Sequence, residues 1–313
     1  QMQLKHYPQA IVVFNEILKR NPESDRIHYY LGSLYEELKD FDKAMVELKL
    51  ISPESKLYSD AVVHVAFLMK TKDPDGARAY MKQSIERSPK NPNFYVFAAS
   101  LDEEARNVDG AVKMLERAVE MFPEDEKIRY YLGSLYDRQG ESDRGMEQME
   151  AILKVNPDNV DALNYIGYTW TTKGVRLNDA EKMLKRALAL KPDNGYIQDS
   201  WGWYLFTRGR TDEAVVELEK AARLKPNEST ILEHLADAYL RSNLRQKALL
   251  RYRDAVKFAE DDESRRKIEG KVESLTRELV NAGQLDKSDR APADEKSTPE
   301  KAPAKPKVDG HRR

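Results

Sequence analysis

The stretch Tyr29-Tyr30-Leu31-Gly32-Ser33-Leu34-Tyr35 occurs a second time, letter for letter, as Tyr130-Tyr131-Leu132-Gly133-Ser134-Leu135-Tyr136. Chance identity over seven such positions is negligible, so the chain is built from repeats and the period must be found first. The prolines give it. Pro89, Pro123 and Pro157 are 34 residues apart, Pro192 follows after 35 and Pro226 after 34. Pro22 lies 67 residues before Pro89, two periods less one residue. Twelve residues before each proline stand Ala10, Ala77, Ala111, Gly145, Ala180 and Ala214. Eight before stand Phe14, Met81, Leu115, Met149, Leu184 and Leu218, and five before stand Ile17, Ser84, Ala118, Ile152, Ala187 and Ala221. Small, large and small at these spacings is one face of a short helix.

A second helix precedes each of these. It carries Leu31-Gly32 with Tyr35, Leu132-Gly133 with Tyr136, Ile166-Gly167 with Trp170, and Trp201-Gly202 with Leu205. A glycine or alanine where two helices cross lets the axes approach to about 8 Å while a large neighbour fills the groove. The proline cannot continue the ladder of hydrogen bonds and ends the second helix of each pair. Asn21-Pro22, Asn91-Pro92, Asn156-Pro157-Asp158-Asn159 and Pro192-Asp193-Asn194-Gly195 read as helix stop, turn and N-cap.

These residues resemble the tetratricopeptide repeat (TPR) family, whose unit is two antiparallel helices in 34 residues with Leu-Gly and Tyr in the first and Ala, a large apolar residue and Ala in the second. The resemblance covers residues 1–260 and implies an all-α, right-handed α-solenoid of one partial and seven complete repeats. These begin near Asp25, Tyr58, Pro92, Glu126, Val160, Gly195 and Ser229. Some repeats depart from the pattern: Pro53 falls early, Val65 stands in place of the usual glycine, an extra residue enters around Lys173-Gly174-Val175-Arg176, and Glu260 replaces the last proline. The stripe Ile268, Val272, Leu275, Leu279 predicts a capping helix over 261–283. From Gln284 to Arg313, prolines 292, 299, 303 and 306 sit among Lys, Ala, Asp and Glu without an aromatic. Such a tail is expected to stay disordered and to be the true C-terminus, because it buries too little apolar area to offset its ordering entropy. Only Gln1 to Lys5 stand where a first helix belongs, so the protein is expected to extend upstream.

Composition narrows the function classes. A length of 313 residues suits two globular domains or one solenoid. With no cysteine there is no disulfide, thiolate zinc site, iron–sulfur cluster or cysteine nucleophile. Lys and Arg (52) nearly balance Asp and Glu (54), which leaves no cationic footprint for nucleic acid. No run of apolar residues is long enough for a transmembrane helix, and no signal peptide is visible. The five histidines are scattered without His-x-x-x-His spacing, and no phosphate loop, dinucleotide fingerprint or Gly-x-Ser-x-Gly elbow occurs. Asp73-Pro74-Asp75-Gly76 reads as a turn rather than a calcium loop. No catalytic residues, cofactor or metal site are expected.

Function then falls to the surface. In the resembled family the first helices line a concave face that binds peptides or partner helices. The matching positions here are Arg26, Tyr29, Ser33, Glu36 and Glu37, then Val62, Ala66 and Met69, then Val96, Ser100 and Glu103, then Tyr130, Ser134, Asp137 and Arg138. The C-terminal half adds Asp161, Asn164, Tyr168 and Thr171, then Tyr196, Asp199, Trp203 and Phe206, then Glu233, Asp237 and Arg241. Trp170 and Trp201 take core positions. The expected groove is therefore Asn164, Tyr168, Tyr196, Asp199, Trp203, Phe206, Glu233 and Asp237, aromatic anchors beside charge. Its acids predict a protein or peptide partner with a basic and an apolar residue. Lysines that clamp chaperone C-termini in some TPR domains are missing: Tyr29, Val62, Val96 and Tyr130 occupy the matching sites. The stretch Val160–Ala255 also resembles bacterial TPR proteins, many of them envelope-associated or lipoproteins, which leaves compartment open between envelope and cytoplasm. The expected function is a non-enzymatic scaffold in a bacterial envelope, secretion or assembly complex. The alternative is the repeat arm of a larger glycosyltransferase or protease, and self-association is a third reading.

Overall fold

The structure, a computed structural model, describes residues 7–285. The first six residues and the tail from Asp286 onward, expected to be disordered, lie outside them. Every element among the described residues is an α-helix. The chain divides into two compact units, Gln1–Leu190 and Lys191–Arg313. The first contains α1 (Tyr7–Arg20), α2 (Asp25–Glu37), α3 (Phe41–Lys49), α4 (Tyr58–Lys70), α5 (Pro74–Arg87), α6 (Pro92–Glu104), α7 (Val108–Met121), α8 (Glu126–Arg138), α9 (Ser142–Val155), α10 (Val160–Lys173) and α11 (Leu177–Leu190). The second contains α12 (Gly195–Thr207), α13 (Thr211–Leu224), α14 (Ser229–Arg241), α15 (Arg245–Phe258) and α16 (Asp262–Asn281). All seven repeat starts read from the proline period are the first residue of an even-numbered helix.

The turn text does what its chemistry dictates. Asn107, Asp125 and Asn159 accept hydrogen bonds from the amides of Gly110, Ile128 and Ala162 and so cap α7, α8 and α10. Asp73 caps α5 through the amide of Gly76, which accounts for the Asp73–Gly76 turn. Most first helices close on a left-handed residue: Gly140, Gly174 and Gly209 at φ 79°, 67° and 75°, and Lys39, Arg106 and Asn243 at 60°.

Within a pair, the glycine register sets the packing. A Cβ on Gly32 would lie 2.7 Å from Leu48, on Gly167 2.7 Å from Leu184, and on Gly202 2.7 Å from Leu218. In these pairs a leucine of the second helix lies against bare backbone of the first, and Met81, Leu115, Met149, Leu184 and Leu218, each eight before a proline, are fully buried. In α8 and α9 both partners are glycines, and a Cβ on Gly145 would meet the carbonyl oxygen of Gly133 at 2.9 Å.

One register differs from the sequence reading. In α4 the buried set Ala61, Val62, Val65, Ala66 and Leu68 repeats that of α6, Phe94, Tyr95, Ala98, Ala99 and Leu101, at a constant offset of 33. Ala66, not Val65, therefore holds the glycine position. Val62 and Ala66, expected in the groove, are core residues at 3% and 0% exposure, and the outward positions are Val63, Phe67 and Lys70. The one-residue shortfall thus lies between α4 and α6, not before α4, where the turn holding Pro53 runs over residues 50–57.

Candidate binding groove

In the second unit, α12 begins at Asn194, whose side chain accepts from the amides of Tyr196 and Ile197. Almost all of α12 is buried, a helix apolar nearly all round rather than on one stripe. Trp201 packs as core and stacks on Tyr204 at 5.3 Å. Trp203 points the other way. One face of its indole stacks on His234 of α14, with centroids 4.0 Å apart and planes 15° apart. The other stacks on Phe206 at 4.8 Å and 17°. The ladder continues at both ends: Asp199 bonds Nδ1 of His234 at 2.9 Å, and the Arg241 guanidinium lies 3.6 Å over the Phe206 ring. Arg241 also donates to the Phe206 carbonyl at 2.6 Å. Imidazole, indole, phenyl and guanidinium are thereby stacked in succession across two adjacent first helices, with the Asp199 carboxylate hydrogen-bonded at the edge of the imidazole. Asp199, Phe206 and His234 are buried, and Trp203 is half-buried. Its Nε1 is shielded from solvent and has no hydrogen-bond partner.

The acids of α14 are also engaged. Lys271 of α16 reaches Glu233 at 2.8 Å and both oxygens of Asp237 at 2.8 and 2.9 Å, while Lys267 stands 3.3 Å from Glu233. The Tyr252 hydroxyl donates to Asp237 as well. Burial alone would raise the Glu233 carboxyl, but Lys271 and Lys267 hold it below the usual carboxylate value. Burial likewise opposes the charge on Lys271, and Asp237 and Glu233 hold its ammonium above the usual lysine value.

The expected residues thus fall into separate sets. Asp199, Trp203 and Phe206 form one cluster. Glu233 and Asp237 form a second around Lys271. Tyr196 is exposed and turns to the end of α13, donating to Glu228 at 2.9 Å with Lys225 4.8 Å over its ring. Asn164 and Tyr168 belong to α10 of the first unit, where Asn164 Oδ1 is buried without a partner. The sequence reading missed His234, Lys267 and Lys271. A signal for them existed: Glu233 to Lys267 and Asp237 to Lys271 are each one period of 34, and Asp199 to His234 is 35. Opposite charges one repeat apart face each other on adjacent first helices.

This geometry gives a pH-dependent prediction. Lys271→Met should destabilise the second unit by about 1–2 kcal/mol at neutral pH, by removing charge-assisted hydrogen bonds to two largely covered carboxylates. A carboxylate held low in the folded state contributes above its unfolded value and loses that contribution as pH falls. The gap between variant and wild type should therefore narrow below the ordinary Glu value of 4.5. Urea midpoints measured between pH 3 and 8 check this, and a gap that widens on acidification would refute it.

The first unit shows a different groove face. Phe67 is 48% exposed, and with Ser33, Glu36, Glu37, Phe41, Leu68 and Thr71 it lines a cavity of about 790 Å³. Farther along, Lys70 pairs with Glu104 at 2.7 Å, and Arg138 and the Tyr131 hydroxyl both bond Glu103. Among the described residues no group of His, Cys, Asp and Glu is placed to hold a metal, and no helix is long and apolar enough to cross a membrane.

Paired antiparallel helices on a 34-residue period, with a glycine at the crossing of most pairs, define an all-α helical-repeat protein. Two tetratricopeptide-repeat profiles match, one over residues 1–61 and 103–164, the other over 134–195 and 200–263, together more than half of the chain. The chain belongs to the tetratricopeptide repeat family. Among solved structures it is similar to a tetratricopeptide repeat protein from Parabacteroides merdae ATCC 43184 (16% identity, TM-score 0.59, covering 84% of this chain and 98% of that one). It is similar also to yeast Tom70 (18%, TM-score 0.56, covering 90% of this chain and 62% of that one). A third is a chain of the APC/C Cut9–Hcn1 hetero-tetramer (15%, TM-score 0.59, covering 87% of this chain and 52% of that one). At these identities the likeness is one of fold. A comparison with curated proteins gave no match. Repeats of this family make protein–protein interaction scaffolds, and the fold is typically non-catalytic.

Proposed function

We propose that this protein is a non-enzymatic scaffold that holds an extended peptide or a partner helix on the face formed by its first helices. Taken each by itself, the first unit offers Asn164 and Tyr168, and the second offers Asp199, Trp203, Phe206, Glu233 and Asp237, with Tyr196 at the edge. The observation that carries the reading is the orphaned Trp203 Nε1, held on the groove face by rings on both sides of the indole. A buried donor without an acceptor costs about 1–3 kcal/mol, and a partner carbonyl that displaces the side chains covering Nε1 would recover part of that cost. Aromatic rings whose rotamers are already fixed lose little entropy on binding, which is how hot spots work. The assignment to a bacterial assembly rests on the wording of Val160–Ala255 alone.

Trp203→Phe tests this. It keeps a stacked ring and removes the indole N–H. A pull-down from the source cell, followed by calorimetry with the captured partner, should show binding weakened by at least about 1 kcal/mol with helicity unchanged. Equal affinity would remove Trp203 from the site.

A further inference from the structure

The sequence pattern makes the second unit's groove acidic and calls for a basic partner. The folded arrangement of charge points the other way. Asp199 is buried against His234. The Glu233 and Asp237 side chains are 13% and 21% exposed and lie under Lys271. What faces solvent is cationic. Lys267 is 68% exposed, with Glu233 at 3.3 Å beside it. The Arg241 guanidinium is held over Phe206 and, among the described residues, pairs with no carboxylate. Leu240, beside Arg241 in sequence, is 37% exposed and is the apolar surface available there.

We infer that the segment held on this face of the second unit is acidic: it presents two carboxylates to Lys267 and Arg241 and an apolar side chain to Leu240 and the edge of Trp203. The inference rests on the groove reading above and fixes its partner's chemistry. The repeat register puts Lys267 and Arg241 eight residues apart in level on adjacent first helices. That is about 12 Å of axial rise with about 9 Å between axes, so the charges are roughly 15 Å apart. An extended segment spans this in about four or five residues. Arg241 is already oriented by its ring and carbonyl contacts, so its free N–H groups engage a carboxylate with little further ordering. A basic segment would instead meet Lys267 and Arg241 first and could reach the carboxylates only by displacing Lys271.

The test is selection of a phage-displayed random 12-residue library on the full chain, then titration of labelled synthetic winners. The expected winners carry two Asp or Glu residues about four or five apart around an aromatic or Leu. Their affinity should fall at least fivefold in Lys267→Glu, an exposed change that leaves the Lys271 pairs intact, and should fall again with added salt. Winners that are basic, weakened by Trp203→Phe and tightened by Lys267→Glu, would overturn the charge inference and leave the groove reading standing. Winners indifferent to both variants, or a library that returns nothing above background, would overturn both. If light scattering shows a dimer that Lys267→Glu dissociates, the occupant is a second copy of this chain and the foreign acidic segment is refuted.

Discussion

Trp203→Ala is expected to destabilise the second unit by about 3 kcal/mol, the lower end for a large aromatic removed from a packed site. The indole is the middle rung between His234 and Phe206, so its loss uncovers two rings and leaves a gap that helix backbones cannot close. Trp203→Phe should cost less than about 1.5 kcal/mol, because a ring of nearly the right size remains and the orphaned Nε1 is gone. A double-mutant cycle of Trp203→Ala with His234→Ala should give a coupling of about 0.5–1.5 kcal/mol, the usual worth of a stacked pair. Repeat proteins gain stability mainly between neighbours, so the loss should appear as earlier unfolding of the C-terminal repeats in urea. A Trp203→Ala penalty below about 1 kcal/mol would show that the ladder does not support the fold. For the same reason Trp203→Ala cannot test binding cleanly, and Trp203→Phe can.

The second large effect concerns one column of the repeat read at three places. Gly202→Ala should cost about 2 kcal/mol: its Cβ would sit 2.7 and 2.9 Å from Leu218 carbons and 3.2 Å from the Leu218 amide nitrogen, forcing the helix pair apart. Gly133→Ala should cost less, because the nearest atom there, at 2.6 Å, is the mobile end of Met149. Gly270 falls in the same column, 34 residues after Ala236 and 68 after Gly202, yet a Cβ on it meets nothing within 4 Å. No second helix follows to pack on α16 among the described residues, and the positions beside Gly270, Arg266, Glu269, Glu273 and Arg277, are charged. Gly270→Ala should therefore stabilise by about 0.5–1 kcal/mol through helix propensity alone. Thermal midpoints of the three variants check the order, and a destabilising Gly270→Ala would mean that this face is covered.

The glycine column also shows why the fold was legible. Register, helix starts and core residues depend on short-range rules that most repeats restate: a small residue where backbones cross, a proline where a helix must stop, an Asx cap where the next begins. Several statements of one rule outvote a single irregular repeat, and only α4 was read one residue out of register.

The groove was half legible for the same reason. Periodicity places Asp199, Trp203, Phe206, Glu233 and Asp237 on the first helices' face, because position on a helix depends only on spacing. It does not say how a side chain is covered once two such faces meet. Whether an acid faces a partner or a lysine 34 residues away depends on the side chain's reach and its neighbour's charge, and Lys271 and His234 are supplied by the next repeat. Spacing along the chain is enough to read the repeat, the helix pairs and the face proposed to bind. The tertiary structure alone decided that Trp203 is stacked on both sides, that the carboxylates turn inward, and that Lys267 and Arg241 are the charges left facing water. The physical reason is that a charge buried without a counter-ion is too costly to keep, so folding pairs the acids before any ligand arrives.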